Sequence, residues 1–145
     1  MASSPPRRKE LAAIPGIERA THAIGLFLTE RTALDVSQAE AHVLAYLLGR
    51  KNARISDIHE EFGHRRSTLT SVLDRLERRK LLKRSTDIQN RRTVIVTLTQ
   101  SGTALATKVF QALRELEVHA LEGISTTELE TFHRVIDGFS NMPVM

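Results

Sequence analysis

Cysteine is absent from this 145-residue chain, which excludes disulfides, thiolate metal sites and thiol redox sensing. No apolar run reaches the length of about 18 residues that makes a membrane span a candidate, so no membrane partner is expected. The charges at the start, in Met1-Ala2-Ser3-Ser4-Pro5-Pro6-Arg7-Arg8-Lys9, have no apolar stretch behind them and do not read as a secretory signal. Residues 1–14 are expected to be a loose arm, and the expected compartment is the cytoplasm. GxSxG, Walker and GxGxxG motifs are missing, and no spacing ties a nucleophile to a base, so an enzyme is not expected. Among the 6 histidines the HExH and HxxxH spacings of tight metal sites are also missing. No metal or cofactor is expected.

What the chain does have is a concentrated positive charge. Arginines 65, 66, 75, 78, 79, 84, 91 and 92 and lysines 80 and 83 face only Asp74, Glu77 and Asp87 in the same stretch, a local net of +7 in a chain whose formal net charge is +4. The rest of the chain is therefore net negative. A local block of this kind is the electrostatic footprint of a polyanion binder, with nucleic acid as the usual polyanion; a solvated basic helix without a partner is the alternative. Hydrophobic residues at 41% and charged residues at 26% suit a globular chain, as one domain or two small lobes sharing a core.

The order of elements separates these readings. Ile17, Ala20, Ile24, Phe27 and Leu28 recur at helical steps after Pro15-Gly16, as far as about Thr32. Ser37, with Glu40 three residues on, reads as the capping box of a helix Gln38 to Leu48 that buries Ala41, Val43, Leu44 and Leu47 and ends at Gly49. A short helix over Ile55–Gly63 follows, with Ser56 as its expected cap and Gly63 as its stop. From His64 to Lys80, Leu69, Val72, Leu73 and Leu76 form one apolar stripe, while Arg66, Ser67, Thr70, Ser71 and Arg75 lie on the other side. Two helices joined by a tight turn read as helix-turn-helix. Leu81–Ser85 and Thr93–Thr99 then read as strands of a hairpin around the polar turn Thr86–Arg92. Two helices complete the chain. The first carries Leu105, Val109, Ala112, Leu113, Leu116 and Ala120 on one face and stops at Gly123. The second begins near Ser125 with Glu128 as capping partner and carries Leu129, Phe132, Val135, Ile136 and Phe139. The fold class is mainly α (α+β): a winged helix-turn-helix with a two-stranded wing and helices at both ends.

A major groove admits one α-helix, and His64–Lys80 has the required surface. Short hydroxyls at Ser67, Thr68, Thr70 and Ser71 let the backbone come close, and Arg65, Arg66 and Arg75 add reach to guanine edges or phosphates. Arg78, Arg79 and Lys80 lie at the helix C-terminus, where positive charge also suits the dipole. Arg91 and Arg92 on a narrow ribbon suit a minor groove.

The run from Ser37 to Gly102 resembles the MarR family of winged-helix bacterial regulators. Carrying the resemblance are Ser37-Gln38-Ala39-Glu40, Ile55-Ser56-Asp57-Ile58, Arg66-Ser67-Thr68-Leu69-Thr70, Leu73-Asp74-Arg75-Leu76-Glu77, the wing Asp87-x-x-Asn90-Arg91-Arg92 and Val94-x-Val96-x-Leu98-Thr99-x-x-Gly102. The resemblance implies a ligand-responsive homodimer, more often a repressor, on an inverted-repeat operator in double-stranded DNA. It implies an organisation with residues 1–14 as arm, 15–36 as a dimerisation helix, 37–100 as the DNA-binding lobe and 101–142 as further dimerisation helices. The apolar surface on both terminal segments also exceeds what one small lobe covers. Three positions depart from the family's usual pattern: Lys80 for glycine, Ile88 for proline and Asn90 for aspartate. Lys80 must then avoid positive φ or be strained there. His64 replaces a usual apolar residue and either meets a phosphate or packs. The candidate effector pocket comprises His22, His42, Tyr46 and His119, with packing of Tyr46 in the core as its alternative. A winged helix used for protein contact and a small helical enzyme are the rival readings. The first would put hydrophobic or acidic residues at Arg66, Thr70 and Arg75, and the second lacks a catalytic constellation.

Overall fold

A computed structural model describes residues 10–32, 35–63 and 66–142. In chain order the elements are α1 (Ile14–Thr32), α2 (Gln38–Leu47), β1 (Ala53–Arg54), α3 (Ile55–Phe62), α4 (Arg66–Arg78), β2 (Leu82–Thr86), β3 (Val94–Leu98), α5 (Gln100–Ala120) and α6 (Thr126–Ser140). Residues 1–9 of the expected arm over 1–14, His64, Arg65 and Pro143 lie outside the described residues.

Local chemistry sets most boundaries. Ser37 Oγ accepts from the Glu40 N–H at 3.1 Å and opens α2. Ser125 and Glu128 bond reciprocally across the first turn of α6, each at 3.1 Å, the two-way satisfaction of orphan N–H groups that a capping box provides. The same bonds hold the Glu128 carboxyl below its usual range, the Ser125 backbone N–H being the larger cause. Gly63 ends α3 at φ 61, a left-handed conformation that costs glycine nothing. Ser56, the expected cap of α3, instead lies inside the helix. Ala53 and Arg54 pair with Val96 and Ile95, so the chain leaves a strand directly into α3, and Asp57 Oδ2 accepts from the Arg54 N–H at 3.3 Å.

That pairing adds a third strand beside the expected two-stranded wing. The sheet has three antiparallel strands in the order β1-β3-β2, with Leu82 opposite Leu98, Arg84 opposite Val96 and Thr86 opposite Val94. A strand of two residues carries too little alternation to read from sequence. The described recognition helix is also shorter than His64–Lys80, running from Arg66 to Arg78.

The lobe's core lies where α2, α3, α4 and the sheet meet. Leu44, Leu47, Ile58, Leu69, Leu73, Leu76, Leu82 and Val96 are fully buried there, and Val109 of α5 joins them. All four residues of the expected α4 stripe, Leu69, Val72, Leu73 and Leu76, are buried. The ends of the chain differ. Within one chain α6 buries no residue, and Phe132, Val135 and Phe139 are 56%, 45% and 43% exposed.

Candidate nucleic-acid interface

Burying the Leu69–Leu76 stripe turns the other side of α4 outward. Ser67, Thr68, Thr70 and Ser71 are all exposed, so the helix presents hydroxyls on short stems along its N-terminal half. Arg66 opens this helix. The strand pairing brings the wing alongside: Thr70 of α4 and Arg92 of the wing line one crevice of 660 Å³ together with Arg54, Ser56 and His59. Helix and wing therefore present a continuous polar and cationic surface.

The wing tip is ordered by its own turn residues. The Asp87 N–H donates to the Thr93 carbonyl at 2.9 Å, and the Thr93 N–H donates to the Asn90 carbonyl at 2.9 Å. Asp87 Oδ1 accepts from the Gln89 N–H at 3.1 Å, and Asn90 Oδ1 accepts from the Arg92 N–H at 3.2 Å. These are side chains mimicking a backbone turn. Asn90 thus serves the turn by its carbonyl oxygen without the usual aspartate's charge. Arg91 and Arg92 are exposed and form no salt bridge among the described residues.

Not every arginine of the basic block points outward. Arg84 Nη2 meets Asp74 Oδ1 at 2.5 Å and Glu77 Oε1 at 3.1 Å, and Arg84 Nε donates to Glu77 Oε2 at 3.2 Å. One guanidinium thus clamps two carboxylates of α4 from strand β2. The hydrogen bond from Arg84 holds the Glu77 carboxyl below its ordinary range, and Glu77 and then Asp74 raise the Arg84 guanidinium further above its own. Sequence reasoning missed this clamp, although the signal was present. Arg84 sits two residues after Leu82, hence on the inward side of the strand, and Asp74 and Glu77 are three residues apart on one helix face.

Arg75 and Arg79 are similarly engaged. Glu40, only 6% exposed, accepts from Arg75 Nε and from Arg79 Nη1, each at 3.2 Å. Arg79 Nη1 also donates to the Asp35 carbonyl at 2.7 Å. Arg75, read from sequence as a DNA-facing residue, is therefore also tied to α2, and its side chain remains 45% exposed.

At the far end of α4, Lys80 has φ 59, so the strained alternative for this position holds. Thr99 secures the strained link: its Oγ1 donates to the Lys80 carbonyl at 2.7 Å, and its N–H donates to the Leu81 carbonyl at 3.0 Å. Thr99 Oγ1 also accepts from the Gly102 N–H at 3.0 Å and caps α5. Any Cβ at Gly102 would run into the Leu81 carbonyl, so the wing's entry and the start of α5 meet at backbone contact.

Of the four candidate effector residues, the structure brings two together. His42 and Tyr46 line a crevice of 330 Å³ with Arg50, Phe62, Phe110 and Arg114. The Tyr46 and Phe62 rings pack in a T-shaped arrangement with centroids 5.6 Å apart, and the Arg50 guanidinium lies 4.0 Å from the centroid of the Tyr46 ring. His22 and His119 are exposed on α1 and α5 and do not line this crevice. Among the described residues no group of acids and histidines is arranged to hold a metal ion, and no helix is long and apolar enough to cross a membrane.

With this geometry in place, the chain can be set beside known proteins. The model of the MarR family matches residues 36–94, which run from the start of α2 into β3. The uncharacterised HTH-type transcriptional regulator YfiV of Bacillus subtilis is 38% identical over 88 residues, covering 61% of this chain and 52% of YfiV; the match spans about half of that protein's length. Among solved structures, MepR of S. aureus in complex with DNA superposes with a TM-score of 0.74 at 22% identity, covering 90% of this chain and 97% of MepR. PcaV of Streptomyces coelicolor with its natural ligand gives 0.73 at 24% identity, covering 97% and 98%. At these identities the two structures establish the fold, a mainly helical winged helix with a small antiparallel sheet. The match to the MarR family model thus covers the segment from α2 to the start of β3, within a chain that shares the winged-helix fold of MepR and PcaV.

Proposed function

We propose that the chain is a homodimeric transcriptional regulator, acting as a repressor, that binds an inverted-repeat site in double-stranded DNA. The α4 helix enters the major groove through Arg65, Arg66, Ser67, Thr68, Thr70 and Ser71, with Arg75 at the margin of the contact. Arg91 and Arg92 of the wing enter the flanking minor groove. The observation that carries this reading is the shared surface of α4 and the wing, with exposed hydroxyls at Ser67, Thr68, Thr70 and Ser71 beside the two wing arginines. That surface combines base-reading and phosphate-positioning groups. The structure of MepR with DNA supports the same use of the fold. Residues 37–100 are the DNA-binding lobe, and 15–36 and 101–142 form the dimer base. A small-molecule effector would bind in the crevice at His42 and Tyr46 and favour a dimer whose recognition helices do not match the DNA spacing. A cytoplasmic location follows from DNA as the partner.

The test is enrichment of duplexes from a random-sequence pool. The expected product is a palindrome with half-sites about one helical turn apart. Salt series on that duplex should show Arg92→Ala lowering affinity and the salt slope by about one to two units, with Arg91→Ala measured beside it. A pool that yields no enriched sequence would overturn the DNA-binding reading. An unchanged slope for both variants would remove the wing from it.

A further inference from the structure

We infer that Ile88, at the tip of the wing, is an apolar contact to the walls of the DNA minor groove. The inference rests on the DNA-binding reading above and adds to it a contact that carries no charge. Ile88 is 97% exposed. Single exposed apolar side chains are ordinary on protein surfaces, so exposure alone decides nothing. Placement does. The other large apolar side chains exposed among the described residues, Phe110, Phe132 and Phe139 among them, lie on α1, α5 and α6 or beside their ends, where a second copy of the chain would cover them. Ile88 stands on the wing, outside that set.

The tip that carries Ile88 is also held in shape before any ligand arrives. Asp87 precedes it, with its N–H on the Thr93 carbonyl and its carboxylate on the Gln89 N–H. Asn90 follows, bonding the Arg92 N–H through its side chain and the Thr93 N–H through its carbonyl. A tip ordered in this way loses little conformational freedom on docking. Exposed Arg91 and Arg92 follow within four residues of it, so the cations that draw the wing toward a negative groove bring Ile88 with them. Branched aliphatic side chains are among those that proteins press into minor grooves, where sugar walls offer apolar surface.

The probe is a fluorescein-labelled duplex enriched by the wild-type protein from a random-sequence pool. Ile88→Ala removes apolar surface and no charge, so affinity should fall about tenfold, the effect of losing a few buried methylene equivalents. The salt slope and melting temperature should stay unchanged, and Ile88→Leu should bind like wild type. An affinity for Ile88→Ala within about twofold of wild type would overturn the inference while leaving DNA binding intact. So would a loss accompanied by a lower melting temperature or an altered slope. If the wild-type protein enriches no duplex, the DNA-binding reading itself has failed, and the inference falls with it.

Discussion

The proposed function gives the Arg75 side chain two tasks. Its Nε is held by Glu40, while the remainder of the guanidinium stays accessible beside the exposed hydroxyls of α4. Arg75→Ala should therefore weaken binding to an enriched duplex and also lower stability by about 1 kcal/mol, a figure limited by its partial exposure. Thr70→Ala should cost about 1–3 kcal/mol of binding. Glu40→Gln separates the two tasks. If it reproduces the full binding loss of Arg75→Ala, Arg75 acts by positioning α4, and a direct DNA contact is refuted. Lys80 offers a second residue-scale prediction. A left-handed conformation costs an L-residue about 1–2 kcal/mol, and glycine's extra freedom in the unfolded chain returns about 0.5–1 of that. Lys80→Gly should raise stability by about 0.5–1 kcal/mol. A denaturation midpoint that falls would mean that the lysine side chain makes a compensating contact.

The recognition helix and the wing act as a unit because Arg84 joins them. The bond from Arg84 lowers the Glu77 pKa, so its contribution to stability is fully present above the ordinary value of 4.5. That contribution is lost as pH falls through the lowered folded-state value. Arg84→Met should lower the melting temperature at neutral pH. The gap to wild type should narrow as the pH is taken below the ordinary carboxylate range, because protonation then releases the clamp in the wild type too. A gap independent of pH would assign the loss to packing alone. At this scale much was legible in the chain. The α4 stripe, the Ser37 and Ser125 caps and the wing turn follow from residues at most a few positions apart. Ser56 misled because the true start of α3 depends on β1, and β1 exists only by pairing with a strand some 40 residues later.

For the whole molecule the decisive feature is apolar surface that one chain leaves uncovered. Phe132, Val135 and Phe139 on α6, with Leu121 and Ile124 before it, remain more than a third exposed, more than a stable monomer ordinarily shows in one region. The protein should scatter light as a dimer at micromolar concentration, and Phe132→Glu with Phe139→Glu should shift it to a monomer and reduce operator affinity. A wild-type monomer would refute the dimeric reading directly.

The positions of the helices, the polarity of their faces and the concentration of charge between Arg65 and Arg92 were determined by sequence alone. Periodicity and caps are short-range, and every residue that sets them lies within a turn or two. Which arginines are left for a ligand was decided only by the tertiary structure. Arg75, Arg79 and Arg84 look alike in the chain to Arg91 and Arg92. The first three meet Glu40, Asp74 and Glu77 because packing of the buried stripe carries α4 against α2 and against β2. The wing arginines project from a two-stranded tip and form no salt bridge among the described residues. Charge is a property of the residue, but its availability depends on which neighbours the fold places within a few ångströms.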